Sequence, residues 1–113
     1  MTSTINIAKV LNKDHAISQE DARKITPFLE AAVANQKRLR LSFGGIDNCS
    51  SIFLRHTLGN LYLRYGTAVE AYIQIVDINP DDEVLPYQLT RLKERALNSG
   101  TYKPIFDQAV GLA

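Results

Sequence analysis

The sequence predicts a small α/β domain in which helices pack mainly on one face of a few-stranded, mostly parallel sheet, giving two layers. Segments whose apolar residues alternate with period two take turns along the chain with segments whose apolar residues recur at helical spacing. This alternation is typical of parallel strands joined by right-handed helical crossovers. The 113 residues fit a single domain. Its core covers about residues 5–98, and the apolar spacing of a tail, 101–113, predicts one more short helix.

The first predicted strand covers the apolar positions of residues 5–11, and a helix follows it. Ser18 and Asp21 have the spacing of an N-cap and the third helical residue, which places the start of this helix at Ser18. Pro27 interrupts the helical pattern because proline has no backbone N–H to donate. A single kinked helix is favoured over a second helix capped by Thr26.

The second strand and the second helix follow in the same way. The stretch RLRLSF, residues 38–43, alternates apolar and polar side chains and predicts a strand. The pair Gly44–Gly45 ends it, because glycine adopts backbone angles that other residues resist. The second helix is expected to begin at Ser50 and to run to about Tyr65, where Gly66 stops it.

The third strand and the third helix complete the alternation. Residues 67–74 fit either a strand or a short helical turn, and a strand is predicted at 75–78. The stretch NPDDE, 79–83, predicts a helix start because Asn79 can cap, proline suits the first helical position, and three acids would lie in the first turn. Gly100 lies just past the expected end of this helix.

Composition restricts the environment and the partners that we expect. A net charge of +1 gives no electrostatic argument for a nucleic-acid partner. The single cysteine excludes an internal disulfide. The first ten residues lack the basic start and the apolar core of a secretory signal, and no apolar run is long enough to span a bilayer. We therefore expect a cytoplasmic protein with neither a membrane nor a nucleic-acid partner.

No set of residues in the sequence forms a recognisable catalytic or metal-binding pattern. His15 and His56 lie far apart, without ligand neighbours at a recurrent spacing. Cys49 precedes a helix start but has no candidate base, so a small buried hydrophobe is its favoured interpretation. The acids at 81–83 are interpreted as partners of the helix dipole. The sequence therefore predicts neither an enzyme, nor a metal site, nor a cofactor.

Ser50 and Ser51 mark the start of the second helix, and two interpretations fit them. Ser50 suits the N-cap position, where its hydroxyl accepts a hydrogen bond from a free backbone N–H, worth ~1 kcal/mol. Capping explains only one of the two serines. Phosphorylation of either would add about two negative charges at a helix end that tolerates them. Such a modification would alter a binding surface without unfolding the domain, so both serines are candidate phosphorylation sites.

A longer motif surrounds this pair. A polar residue and Phe end a strand, and glycine, an apolar residue, two hydroxyls, Phe-Leu and later Gly-x-Leu-Tyr follow. The positions are Ser42, Phe43, Gly45, Ile46, Ser50, Ser51, Phe53, Leu54, Gly59, Leu61 and Tyr62. In the order and spacing of these residues the chain resembles the STAS-like domain family of unknown function, which is related to the STAS domains of bacterial anti-sigma factor antagonists. The resemblance covers about residues 5–98 and implies a small STAS-like fold.

The resemblance also implies that the protein acts by binding another protein, as a module of a bacterial signalling system. In better understood STAS relatives, a partner kinase, which is an anti-sigma factor, phosphorylates a Ser or Thr at this helix start, and the pair then dissociates. The implied partner is an ATPase-like or kinase-like regulator. The expected partner-binding face comprises Asp47, Asn48, Ser50, Ser51 and Arg55. The acid and the glycine that flank the serines in the antagonists are replaced by Cys49 and Ile52, so the aligned phosphosite could also fall on Ile52, which cannot be modified.

A sensor domain for a nucleotide or another small anion is the alternative function. The loop 44–51 beside a helix N-terminus could hold a phosphate, with Gly44, Gly45 and Arg55 as candidate contacts. An enzyme is the least favoured class. The apolar tail leaves open either a monomer or a homodimer formed through residues 101–113.

Overall fold

A computed structural model of the protein describes residues 3–98 and confirms the α/β class, with a small parallel sheet and helices packed against it. The elements follow in this order: β1 (Ser3–Asn6), α1 (Ile7–Leu11), β2 (His15–Ala16), α2 (Gln19–Ala34), β3 (Leu39–Ser42), β4 (Asn48–Cys49), α3 (Ser51–Leu54), a π-helical turn (Arg55–Gly59), α4 (Asn60–Tyr65), α5 (Ala68–Tyr72), β5 (Ile73–Val76) and α6 (Val84–Asn98). The predicted tail helix and its role in a dimer lie outside the described residues. Within residues 3–98, no helix combines the length and the apolar character needed to cross a membrane.

The main sheet contains β1, β3 and β5 in that order, and both pairs of neighbours are parallel. One of its faces is apolar, since Leu39 and Leu41 on the central strand are buried. Exposed side chains alternate with them, namely Arg40 on β3 and its register partners, Thr4 and Gln74. The helices therefore cover one face of the sheet, as the sequence predicts. Most of the large fully buried side chains come from β3, from α2 and from the helical run after β4, among them Leu41, Ile25, Leu29, Phe53, Leu58 and Leu61, while α1 adds Ile7 and α5 adds Val69.

A second, two-stranded sheet was not expected from the sequence. It pairs β2 with β4 in parallel, with His15 opposite Asn48 and Ala16 opposite Cys49. The backbone N–H of Ser50 continues this pairing with a 3.0 Å hydrogen bond to the carbonyl of Ala16. The small sheet thus ties the segment before α2 to the segment before α3, and it fixes where both helices begin.

The predicted start of α2 is confirmed in atomic detail. The Ser18 hydroxyl accepts from the backbone N–H of Asp21 at 3.1 Å, and the Asp21 carboxylate accepts from the backbone N–H of Ser18 at 3.3 Å, which forms a capping box. Pro27 lies inside a single continuous helix, as favoured above.

Asp21 is also the ion-pair partner of Lys13, in the loop between α1 and β2. It is 3% exposed, and its carboxylate lies 2.8 Å from the Lys13 ammonium. Burial alone would raise the pKa of Asp21, but hydrogen bonds from Lys13 and from the backbone of Ile17 and Ser18, with the Lys13 charge, outweigh it and lower the pKa from 3.8 to about 2. Asp21 is therefore ionised whenever the protein is folded near neutral pH.

The predicted first strand over residues 5–11 is only partly correct. The strand ends at Asn6, whose side-chain oxygen accepts from the backbone N–H of Lys9 at 2.9 Å and caps a short helix. Ile7 and Leu11, both buried, lie four residues apart on the inner side of this helix. The apolar spacing fits a strand as well as a helix here, and the cap at Asn6 decides for the helix.

The third helix begins later than predicted, at Val84. Asn79 does not cap it. The Asn79 side chain accepts a hydrogen bond from the backbone N–H of Asp81 at 2.9 Å. The Asn79 backbone carbonyl accepts one from the backbone N–H of Asp82, and this bond closes a turn. The Asp82 carboxylate then accepts from the backbone N–H groups of Val84 at 2.9 Å and Leu85 at 3.0 Å. The acids therefore precede the helix, and one of them satisfies its free donors.

The ambiguous segment 67–74 divides between a helix and a strand. Its first part forms α5, and β5 runs from Ile73 to Val76 instead of over 75–78. The strand ends at Val76 because Asp77 has a positive φ of 62°.

The second predicted helix, from its Ser50 cap to Tyr65, is confirmed as a helical run, but a wide π turn lies within it. This turn packs against α2. Residues of both elements, among them Pro27 and His56, line a cavity of about 300 Å³. The Thr26 hydroxyl on α2 shares its proton between the carbonyls of Ala22, at 2.8 Å, and His56, at 3.2 Å. A side chain of one helix thus satisfies the irregular backbone of the other.

Candidate functional site

Ser50 has a structural role at the start of α3. Its hydroxyl accepts a hydrogen bond from the backbone N–H of Phe53 at 3.0 Å, which confirms the predicted cap. The same hydroxyl donates to the carbonyl of Ile17 at 2.5 Å, across 33 residues of sequence. Ser50 therefore uses its donor and an acceptor at once, and it joins the two loops of the small sheet.

The Ser51 hydroxyl, unlike that of Ser50, takes part in neither of these two hydrogen bonds. Ser51 is the first residue of α3, and it is exposed. Within residues 3–98 its hydroxyl makes no side-chain hydrogen bond. Of the two predicted phosphorylation sites, Ser51 is the accessible one.

The rest of the predicted partner-binding face is also at the surface. Asp47, Asn48 and Arg55 are exposed. Next to Ser51 in the chain is Ile52, a large apolar side chain that is 45% exposed and is not among the residues of the predicted face. Its position immediately after Ser51, off the buried stripe that contains Phe53, is the signal that could have placed it there.

Cys49 lies directly before these serines, on β4, where its half-buried side chain packs against the core. Burial, and to a smaller degree the negative charge of Asp82, raise the pKa of the Cys49 thiol from 9.0 to about 12. The thiol is therefore protonated at neutral pH and is a poor nucleophile. This agrees with its interpretation as a small hydrophobe.

A groove lies between the helical run α3–α4 and helix α6, with a volume of about 510 Å³. We call it the arginine groove, because Arg55, Arg91 and Arg95 line it together with Ser51, Tyr87 and Gln88 and with the apolar residues Leu54, Leu63, Leu92, Gly59 and Ala96. The sequence predicts a role for Arg55 but does not show that it lies close to α6.

Gly59 allows the two sides of the arginine groove to approach each other. A Cβ atom at Gly59 would lie 3.1 Å from the Leu92 Cδ1 atom and 3.6 Å from the Arg55 Cγ atom. The glycine in the π turn therefore brings α6 close to the turn at the base of the groove.

A polar network that the sequence does not predict lies at the carboxyl edge of the main sheet. The Ser42 side chain is 2% exposed. Its hydroxyl donates to the Asp77 carboxylate at 2.6 Å and accepts from the Asn6 amide at 3.3 Å and from the Gly44 backbone N–H at 3.2 Å. The ends of the three parallel strands are thus joined by side chains whose positions in sequence gave no sign of the contact.

The residues predicted to bind an anion do not line a common cavity. Arg55 faces the arginine groove, whereas Gly44 and Gly45 line neither of the two cavities described above. Gly45 has a φ of 87°, which fits the predicted end of the strand. A Cβ atom at Gly44 would lie 3.5 Å from the Cβ atom of Asp77, so an acidic side chain borders this glycine.

The described part of the chain contains no group of three or more His, Cys, Asp and Glu side chains that could hold a metal ion. His15 lies at the surface, where its Nδ1 atom is 3.2 Å from the Asp14 carboxylate. His56 is half-buried on the π turn.

Comparisons of the chain with protein-family models, with curated proteins and with solved structures found no match. The resemblance to the STAS-like family therefore rests on the motif around Ser50 and Ser51.

Proposed function

We propose that the protein is a non-catalytic protein-interaction module of a bacterial signalling system, and that its partner binds at the start of α3. The observation that carries this proposal is the exposure of Ile52 and Ser51 side by side on a helix start that Ser50 holds in place. Protein interfaces have an apolar centre within a polar rim, and Ile52, with the polar side chains of Asp47, Asn48 and Arg55 around it, offers that arrangement here. The resemblance to the STAS-like family supports the same class of function.

Phosphorylation of Ser51 would switch this surface. A phosphate at the first helical residue gains from the positive end of the helix dipole, and Arg55 follows one helical turn later. The fold therefore tolerates the charge. A partner that covers Ile52 would not, because about two negative charges would have to be buried beside an apolar contact. The proposed partner is an ATPase-like or kinase-like regulator that delivers the phosphate.

Purification of the tagged full-length protein from its native cells tests the proposal. We expect a kinase-like ATPase to co-purify with the wild type and phosphate to be found on Ser51 but not on Ser50. The variant Ile52→Glu should lose the partner. The matched control is Phe28→Glu on α2, since both side chains are 45% exposed, and it should retain the partner. Retention by both variants would place the binding face elsewhere, and failure of the wild type to capture a partner would refute the proposed module.

A sensor of a nucleotide or another small anion is a second candidate, and the arginine groove favours it. Its three arginines make no ion pair with a carboxylate among residues 3–98. Thermal unfolding in the presence of ATP, GTP or inorganic phosphate tests this candidate, because a ligand that binds only the folded state raises the midpoint. The sensor requires a rise that Arg91→Glu abolishes.

A further inference from the structure

We propose that the arginine groove binds an acidic, amphipathic helical segment of the partner. The proposal rests on the proposed function, because it names the chemistry of that partner. Ser51 and Arg55 belong both to the proposed binding face and to the rim of the groove. The two surfaces are therefore continuous, and one partner can cover both.

The charge of the groove selects an acidic occupant. Arg55, Arg91 and Arg95 line it, whereas none of the residues that line it is acidic. Three other cations of the described chain have carboxylate partners. Lys13 pairs with Asp21, Arg64 with Glu30, and Lys93 with Glu70. Three cations that line one groove without a carboxylate partner raise the local positive potential, which attracts and orients an acidic segment.

The apolar lining of the groove selects an amphipathic segment over a simple anion. Leu54 is buried, and Leu63 and Leu92 are half-buried along the two walls. Phosphate offers nothing to such surfaces. A helix with an apolar stripe and acidic flanks satisfies both the leucines and the arginines, which is the usual way in which a helix binds in a groove between two others.

Tyr87 and Arg91 form a prepared anchor at one wall. Tyr87 is 62% exposed. The Arg91 guanidinium lies 5.9 Å from the centre of its ring and donates to its hydroxyl at 3.2 Å. This contact restricts the Arg91 side chain before a partner arrives, so less conformational freedom is lost on binding. Tyrosine and arginine are also among the residue types that most often dominate the free energy of protein interfaces.

A designed peptide tests the proposal with the full-length protein. The peptide has about 16 residues, enough for some four helical turns, with leucines at helical spacing and glutamates on both flanks. Its control carries lysine in place of each glutamate. Fluorescence anisotropy at physiological salt should show the glutamate peptide binding at least about tenfold more tightly than the lysine peptide, and the preference should weaken as salt is added.

Charge-swapped variants locate the binding site. The double variant Arg91→Glu/Arg95→Glu should lose the glutamate peptide and gain affinity for the lysine peptide, a gain that unfolding cannot imitate. Arg40→Glu is the matched control, because Arg40 is exposed on the opposite face of the sheet, and we expect its affinity to change less than about twofold. Equal binding of both peptides by the wild type, or equal loss in the control, would overturn the proposal.

Other occupants give different results, and each of them overturns the proposal. A synthetic peptide of residues 101–113 that binds with the same arginine dependence, while the glutamate peptide does not, would assign the groove to the chain itself. Self-association that the double variant abolishes would assign it to a second copy. ATP or inorganic phosphate binding without the peptide would assign it to a small anion. The two proposals fail separately, because loss of the cellular partner in Ile52→Glu does not depend on either designed peptide.

Discussion

Replacing each of the two adjacent serines by alanine should separate the structural hydroxyl from the accessible one. Ser50→Ala removes the N-cap of α3, worth ~1 kcal/mol, and also the hydrogen bond to the carbonyl of Ile17, which contributes about 1 kcal/mol more. We expect Ser50→Ala to lower the free energy of unfolding by roughly 2 kcal/mol. Ser51→Ala removes an exposed hydroxyl and should change it by less than about 0.5 kcal/mol.

Urea denaturation of the two variants and the wild type measures this difference. With a slope of about 2 kcal/mol per molar urea, as is usual for a small domain, the midpoint of Ser50→Ala should fall by roughly 1 M. Acidic replacements sharpen the comparison. Ser50→Asp can still cap but cannot donate to the Ile17 carbonyl, and it should remain destabilised. Ser51→Asp places a negative charge at the first helical residue and should be neutral or stabilising. Equal midpoints for Ser50→Ala and Ser51→Ala would refute the assignment of these roles.

Three further predictions concern the groups around this site. Since the pKa of Asp21 is held at about 2, its ionisation should stabilise the fold by roughly 2 kcal/mol above about pH 4, and this should be lost as the pH falls through 2. The stability difference between the wild type and Asp21→Asn should shrink over that range in acid urea titrations, and a constant difference would contradict the prediction. Cys49, whose pKa is raised to about 12, should react with maleimide at neutral pH far more slowly in the folded protein than in urea, and equal rates would contradict its burial. Asp82→Ala should cost about 1 kcal/mol in thermal or urea unfolding because it removes the cap of α6, whereas Asp81→Ala, which removes no cap, serves as the control.

Features that depend on neighbouring residues could be predicted from the sequence. The capping box of Ser18 and Asp21 and the cap at Ser50 are formed within four residues, so residue type and spacing suffice to identify them. The same local rules placed the start of α6 too early, at Asn79, and missed the helix that begins after Asn6. Asn6 and Asn79 each have several backbone donors within reach, and the sequence does not say which one is used.

Features that depend on contacts between residues far apart in the chain could not be predicted from the sequence. Arg91 and Arg95 lie in the more acidic half of the chain, so a count of charges along the sequence separates them from Arg55, although the fold assembles all three in one groove. The contact of Ser42 with Asp77 spans 35 residues. The β2–β4 pairing likewise joins segments too short to show a strand pattern of their own.

The π turn at Arg55–Gly59 has a consequence for insertions and deletions in this helix. Such a turn accommodates one residue more than an α-helical turn, while the helix on either side keeps its direction. Deleting one residue within it would leave an ordinary α-helix, with Phe53 and Leu61 still facing the core. A deletion at another position between Phe53 and Leu61 would rotate one of these side chains by about 100° relative to the other and turn it away from the core. Related chains that differ in length along this helix should therefore differ at this turn, and an alignment without a gap there would assign the residues of α4 to the wrong positions.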